Sequence, residues 1–168
     1  MNKKMMKDNI SIVGAGNLGL SLVKGLVESG EFTPKQFKLS RRRIEKLNAM
    51  SKMGYHVYND NRLAVENTNI IVLAVLPQKI NEVLQEIKNN LDSETILISL
   101  VSGVEISNIS SIIGDQIPIV RAMPNTAISI RESMTCVTTI QKWEHHLDKV
   151  KSLFDHVGET AIINEEKM

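Results

Sequence analysis

One cysteine, Cys136, stands among 168 residues. A lone thiol excludes an internal disulfide, and its setting in MTCVTT reads as a small buried strand residue. A nucleophilic role would need a base, and no histidine lies near it in sequence. Net charge is almost absent too, since 20 lysines and arginines against 19 acidic residues leave +1. No global field therefore draws nucleic acid or an anionic membrane to the chain, and any recognition of charge has to be local. No apolar run approaches the length of a membrane span, and the basic opening MNKKMMKD passes into a strand without an apolar signal region. Those features predict a cytoplasmic protein with no membrane partner. Missing as well are paired carboxylates at a suggestive spacing, a Ser/His/Asp pattern and a metal-ligand cluster. His145 and His146 are adjacent, so on a helix they point about 100° apart and cannot chelate together. They and His156 read as surface residues, and His56 as a strand residue of no special role.

What is present supports a single core. Hydrophobic residues make up 42% of the chain, enough for one ordinary domain, and a second full domain does not fit. Apolar strand-like runs recur at Ile10–Val13, Phe37–Leu39, Ile70–Val75, Ile96–Val101 and Ile117–Val120, with helical segments between them. That alternation predicts an α/β protein with a doubly wound, mostly parallel, Rossmann-like sheet. The clearest helix runs from about Gln78 to Asn89, with Ile80, Val83, Leu84 and Ile87 on one face and Glu82, Glu86 and Lys88 away from it. A short strand at Tyr55–Val57 and two edge strands from MTCVTTI and TAII complete the sheet. Trp143, Leu147, Val150, Phe154 and Val157 mark a helix between those last two. Repeats, low-complexity tracts and interdomain linkers are not seen, so residues 1–8 read as a basic extension and 9–168 as one domain.

The segment ISIVGAGNLGLSLVKGL places Gly14, Gly16 and Gly19 where a β-branched run gives way to a helical one. In that context the spacing Gly-x-Gly-x-x-Gly has a mechanism. Gly14 permits the tight turn, Gly16 lets backbone approach a ligand, and Gly19 lets the helix lie close on the sheet. The helix then offers unpaired N–H groups and the positive end of its dipole to an anion such as a pyrophosphate.

The end of the second strand decides which dinucleotide. NAD-binding domains of this architecture carry an acidic residue there to accept the ribose 2′-hydroxyl. Here the segment is KLSRRRIEKL, with Ser40, Arg41, Arg42 and Arg43 and no carboxylate. Hydroxyl and guanidinium donors suit a 2′-phosphate, so NADP(H) is expected over NAD(H). A solvated basic helix start is the plainer reading, but three arginines at a helix N-terminus oppose its dipole by about 0.3–1 kcal/mol each when exposed. Nucleic acid is disfavoured, since no aromatic platform flanks the arginines.

Three further strings, NIIVLAVLPQKINEVLQEI, ILISLVSGVEISNI and PIVRAMPNTAISIRESMT, follow the glycines in the order seen in pyrroline-5-carboxylate reductases. The sequence resembles the N-terminal, coenzyme-binding domain of that family from Ile10 onward, with RAMPNT and LAVLPQ as the specific signals. The resemblance implies that Val13, Gly14, Ala15, Gly16, Asn17, Leu18 and Gly19 form the pyrophosphate loop, with Ser40, Arg41 and Arg42 at the adenosine 2′-phosphate. It implies that Asn61 contacts the adenosine half. Ala74, Val75, Leu76 and Pro77, with Leu100, Val101 and Ser102, would border the ribose and nicotinamide end. Met123, Pro124 and Asn125 would sit where the nicotinamide faces substrate. Read singly, Pro77 stops a strand, Pro124 fixes a turn and Asn125 satisfies local backbone. Three positions depart from the family: Leu76 replaces a usual lysine, Ser133 a usual glycine, and Gly19 a frequent alanine, which reads as harmless.

By resemblance the reaction is reduction of the cyclic imine of 1-pyrroline-5-carboxylate to proline, with hydride from NAD(P)H. Such chemistry belongs to the cofactor, while the protein orients it. Family members continue past a segment like INEEKM into a helical domain that dimerises and carries most substrate-binding groups. This chain is therefore expected to bind NADPH and, alone, to reduce the imine poorly or not at all. Exposed apolar residues are expected on the last helix and strand, leaving room for a homo-oligomer. The alternatives are a non-catalytic NADP-binding module and another NADP-linked oxidoreductase of the imine or deazaflavin type.

Overall fold

β-Branched runs become strands where the chain concentrates them. β1 (Ile10–Val13), β2 (Phe37–Ser40), β3 (His56–Tyr58), β4 (Ile70–Leu73), β5 (Ile96–Ser99), β6 (Ile119–Met123), β7 (Ser133–Thr138) and β8 (Gly158–Ile162) join one sheet. Their order is β3-β2-β1-β4-β5-β6-β7-β8. All pairings are parallel except β6 with β7. The structure is a computed structural model and describes residues 8–168. Of the basic extension assigned to residues 1–8, only Asp8 falls among them, and its carboxylate accepts from Lys149 Nζ at 2.8 Å.

Among the described residues six helices cover the sheet: α1 (Asn17–Glu28), α2 (Asn48–Lys52), α3 (Asn61–Val65), α4 (Ile80–Ile87), α5 (Ile106–Ile113) and α6 (Leu147–Asp155). Alternation along the strands divides the interior into two cores. Ile10, Ile12, Leu39, Val72, Ile98 and Val120 face Leu22, Val23 and Leu26 of α1 and Val150, Leu153 and Phe154 of α6. Val13, Ile71, Leu73, Leu97 and Ile119 face Val65 of α3, Ile80, Val83, Leu84 and Ile87 of α4, and Ile106 and Ile109 of α5. Each such residue fully buried is worth about 1.5–3 kcal/mol, so neighbours such as Ile12 and Val13 bind both helix layers to one sheet. Strand order reverses between β1 and β4, and a crevice opens beyond the carboxyl ends of the strands there.

Some local expectations shift. α4 is shorter than the apolar face suggested, flanked by 3-10 turns at Pro77–Lys79 and Lys88–Asn90. β6 runs on through Met123, whereas the apolar run ended at Val120. The arginines do not open an α-helix: Arg43 precedes a 3-10 turn, Ile44–Leu47, so the dipole cost assigned to them does not apply. Every apolar residue of α6 is buried, against the expectation for the last helix, whereas the last strand does expose one, Ile162 at 51%; Leu63 on α3 and Met134 on β7 are exposed too. His145 and His146 lie in a 3-10 turn with ring centroids 4.1 Å apart, so they are not splayed as on an α-helix. No group of three His, Cys, Asp or Glu side chains able to hold a metal occurs among the described residues. His156 is half-buried, edge-on to Phe32 at 5.6 Å. Cys136 lies on β7, opposite Met123, and is half-buried where full burial was expected. Among the described residues no helix is long and apolar enough to cross a membrane.

Candidate functional site

The glycine loop folds against the end of β2. Gly14 and Ala15 donate their amides to the Ser40 carbonyl at 3.2 and 2.8 Å, and Gly16 donates to the Gly14 carbonyl at 2.7 Å. Gly14 sits at φ +88°, and a Cβ there would lie 2.6 Å from Val75 Cγ1 and 2.8 Å from the Ala74 carbonyl oxygen. The tight turn therefore requires glycine for conformation and for space. Gly16 differs: its nearest neighbour for a Cβ is 3.9 Å away, so its α-carbon looks onto open space. It is also the N-cap of α1 and supplies no side-chain cap. The first-turn amides of α1 thus face the crevice without a side-chain acceptor. Gly19 is buried against β1, where a Cβ would meet Ile12 Cγ2 at 2.8 Å. Alanine at Gly19 is therefore not harmless in this chain, because Ile12 already occupies the room.

A cleft of about 270 Å³ opens in front of the loop. Gly14, Gly16, Ser40, Arg41, Arg42 and Asn61 line one side, and Ala74, Val75, Leu76, Lys79 and Val83 the other. Arg41 lies over the loop, with Nη1 donating to the Ala15 carbonyl at 3.2 Å. Asp60 caps α3 by accepting from the Arg62 amide, which brings Asn61 to the first position of the helix and opposite Ser40. Ser40 Oγ donates to Asn61 Oδ1 at 2.7 Å, and Asn61 Nδ2 donates to Glu86 Oε2 at 2.8 Å. Arg42 pairs with Glu82, which also accepts from Lys79 Nζ at 2.9 Å. The Lys79 hydrogen bond and the Arg42 charge hold the Glu82 carboxyl below the usual carboxylate range. No carboxylate lines the cleft itself.

Not every residue singled out from the sequence presents a side chain here. Val13 and Ala15 are fully buried, and Leu100 and Val101 nearly so, which leaves only their backbone available. Asn17 is exposed beside the loop, while Leu18 packs on the core and Gly19 on β1. Pro77 opens a 3-10 turn, and exposed Leu76 puts an apolar side chain on the rim. Met123 is the last residue of β6, and Ser102, Pro124 and Asn125 stand beyond the ends of β5 and β6; all four lie outside this cleft, with Ser102 Oγ 3.9 Å from Met123 Sδ. Asn125 caps the next turn through Ala127, and its own amide donates to Ser133 Oγ at 3.2 Å. Arg43 is exposed and does not reach the cleft. Lys79 was missed in the sequence because it sits among solvated residues at the head of α4. Its spacing from Pro77 carries no local signal of the cleft.

Larger hollows lie elsewhere, two of them of about 480 and 470 Å³. One borders the starts of β7 and β8 and the other the loops that lead into β4 and β5. Neither contains the glycine loop or the first turn of α1.

Residues 9–103 match the model of the family described as NADP oxidoreductase, coenzyme F420-dependent. Pyrroline-5-carboxylate reductase 2 of Dictyostelium discoideum is 37% identical over 95% of this chain and 59% of its own length. Pyrroline-5-carboxylate reductase 1 of the same organism is 34% identical over 98% of this chain and 32% of its own length. Among solved structures, a pyrroline-5-carboxylate reductase from Coxiella burnetii superposes with a TM-score of 0.87 at 31% identity. That match covers 96% of this chain and 60% of the other. The chain thus spans less than two thirds of the length of these relatives.

Proposed function

Since the chain belongs to the NADP oxidoreductase family of that description, we propose that it is a coenzyme-binding domain of the pyrroline-5-carboxylate reductase kind that takes NADP(H) in preference to NAD(H). The observation that carries this reading is the juxtaposition at the crevice: an uncapped helix start at Gly16, open space over its α-carbon, and Arg41 and Arg42 on the rim with Ser40 buried beneath them and no lining carboxylate. A pyrophosphate bridge fits the first-turn amides of α1. A 2′-phosphate fits the guanidinium forks of Arg41 and Arg42 and the Ser40 hydroxyl.

The coenzyme, when bound, supplies hydride from the nicotinamide ring. Everything else falls to the chain. Gly14 and Gly16 bring backbone close, Arg41 and Ser40 fix the adenylate end, and Asn61 orients Ser40. Ala74 to Pro77 and Ser102 lie along the way to Met123, Pro124 and Asn125, which we assign to the substrate side. For the whole protein the reading is reduction of the cyclic imine of 1-pyrroline-5-carboxylate to proline, in the cytoplasm. We assign coenzyme binding to the residues in hand and the grip on the imine to the portion of the relatives' length outside this match. A deazaflavin partner is the second reading, favoured by the description of the matched family.

Calorimetric titration with NADPH and NADH tests the proposal, followed by an imine-reduction assay on the same sample. Tighter binding of NADPH is expected, and Arg41→Glu should weaken NADPH far more than NADH. Equal weakening of the two would show that the basic segment does not read the phosphate.

A further inference from the structure

The donors along the adenylate rim are already engaged, and three of them, Arg42, Lys79 and Asn61, have glutamate partners on α4. Glu82 holds Arg42 and Lys79 together, one oxygen to each. Glu86, one turn further along α4, accepts from Asn61, whose carbonyl oxygen takes the single hydrogen of the Ser40 hydroxyl. The opposite face of α4, formed by Ile80, Val83, Leu84 and Ile87, is buried and fixes the rotation of the helix, so both glutamates lie behind the rim, on Arg42, Lys79 and Asn61. Lys79 is the N-cap of α4, where a cation opposes the helix dipole, and Glu82 in the first turn offsets it.

We propose that Glu82 is an internal counter-anion that the coenzyme's 2′-phosphate displaces, and that Lys79, released with Arg42, is a further cation of the phosphate subsite. The inference rests on the NADP(H) reading above and deepens it. Two observations favour exchange over a permanent pair. Lys79 lines the cleft while Glu82 does not, so the cation already faces the space the ligand enters. The side chains of Arg42, Lys79 and Glu82 are 69%, 46% and 53% exposed, and ion pairs this open to water are weak and salt-screened. A phosphate dianion offers three acceptor oxygens to a guanidinium fork and an ammonium, which a single carboxylate does not match. The Ser40 hydroxyl differs: it is buried, gives its hydrogen to Asn61 at 2.7 Å with the Ile12 carbonyl at 3.5 Å as a second acceptor, and donation to a phosphate requires that site to open.

The exchange predicts opposite effects from the two partners: removing Lys79 weakens the ligand, and removing Glu82, outside the cleft, tightens it. The probes are 2′,5′-ADP and 5′-AMP, which differ in the phosphate alone, titrated into the wild-type chain and into Lys79→Gln, Glu82→Gln and Arg41→Glu at low and high salt. Lys79→Gln should weaken 2′,5′-ADP about tenfold, and Glu82→Gln should strengthen it about threefold to tenfold, with 5′-AMP moved less than twofold by either. The gain from Glu82→Gln should shrink at high salt. If the wild type prefers 2′,5′-ADP and Arg41→Glu abolishes that preference, yet Lys79→Gln and Glu82→Gln stay within twofold of wild type, the exchange is wrong and the coenzyme reading stands. If the wild type shows no preference for 2′,5′-ADP over 5′-AMP, both fall. Lys79 and Glu82 are exposed and Arg41 is half-buried, and circular dichroism confirms the fold of each variant before titration.

Discussion

Glu165 closes a circuit with Arg121 across the end of the sheet. One carboxylate oxygen accepts from Arg121 Nη1 at 2.9 Å and from the Ile106 amide at 2.9 Å. Arg121 lies on β6 and is 5% exposed, and its Nε has no partner. A buried cation and the first amide of α5 therefore depend on one acid from the turn Glu165–Lys167. Breaking one side of a buried pair leaves the other charge uncompensated. Glu165→Ala should cost about 3 kcal/mol, the low end for such a break because Glu165 retains 29% exposure. Urea unfolding measures it, and the double change Arg121→Met with Glu165→Gln should recover most of the loss. A single change costing under about 0.5 kcal/mol would mean the pair is solvated and unimportant.

The glycine loop separates folding from binding. Gly14 is held by conformation and by Val75, whereas nothing in the protein opposes a side chain at Gly16. Gly16→Val should therefore keep the fold, at a cost of no more than about 1 kcal/mol for the poorer N-cap, while abolishing NADPH and NADH binding together. Gly14→Ala should lower the melting temperature itself. Thermal denaturation read beside titration distinguishes them; retained coenzyme binding in Gly16→Val would remove the pyrophosphate from this position.

How much of this was legible follows from where each signal resides. Strand positions and the doubly wound order could be read because Ile70–Leu73 and Ile96–Ser99 are fully buried and carry their apolar character in a few consecutive residues. The glycine loop was legible for the same reason: it is local, and its spacing has one mechanism. Contacts between distant segments left no such trace. Arg121 and Glu165 are 44 residues apart, and nothing in RAMPNT or INEEKM shows that one neutralises the other. The arginine run was visible, but its setting before a 3-10 turn was not, because three consecutive cations carry no apolar period. The apolar spacing around α6 gave the helix correctly. Whether its face would stay exposed depended on Ile98, Val120 and Val137 beneath it, which only the folded sheet brings there.

Acid sensitivity should trace in part to His146. Burial pushes its pKa below the ordinary imidazole value, and the neighbouring charges of His145 and Lys149 add to this, while Glu94 opposes it. The folded state therefore binds a proton less readily than the unfolded chain. Stability from this group is complete above the unfolded pKa of roughly 6.5 and declines as pH falls toward the lower folded value. His146→Gln should flatten the melting-temperature profile between about pH 7 and pH 5 relative to the wild type. An NMR titration of His146 with a midpoint at or above 6.5 would contradict the sign.

Ser133 ties the strand that begins at the far edge to the loop assigned to the substrate side. Its hydroxyl accepts from the Asn125 amide at 3.2 Å and lies 3.2 Å from Thr135 Oγ1, in a site where Ser133 is 2% exposed. Asn125 in turn caps the turn Thr126–Ile130, so one hydroxyl positions the end of the Met123–Asn125 segment. Glycine at Ser133 would leave that amide without its acceptor and free the backbone that pairs with Gly158. Ser133→Ala should cost about 1 kcal/mol for the lost hydrogen bond, and Ser133→Gly more, through added backbone entropy. The discriminating measurement is amide hydrogen exchange. Asn125 should exchange faster in both variants while Ile98 and Val120, in the core of the sheet, keep their protection relative to global stability. An unchanged Asn125 rate in Ser133→Ala would show that the loop is held by its own cap at Ala127 and not from β7.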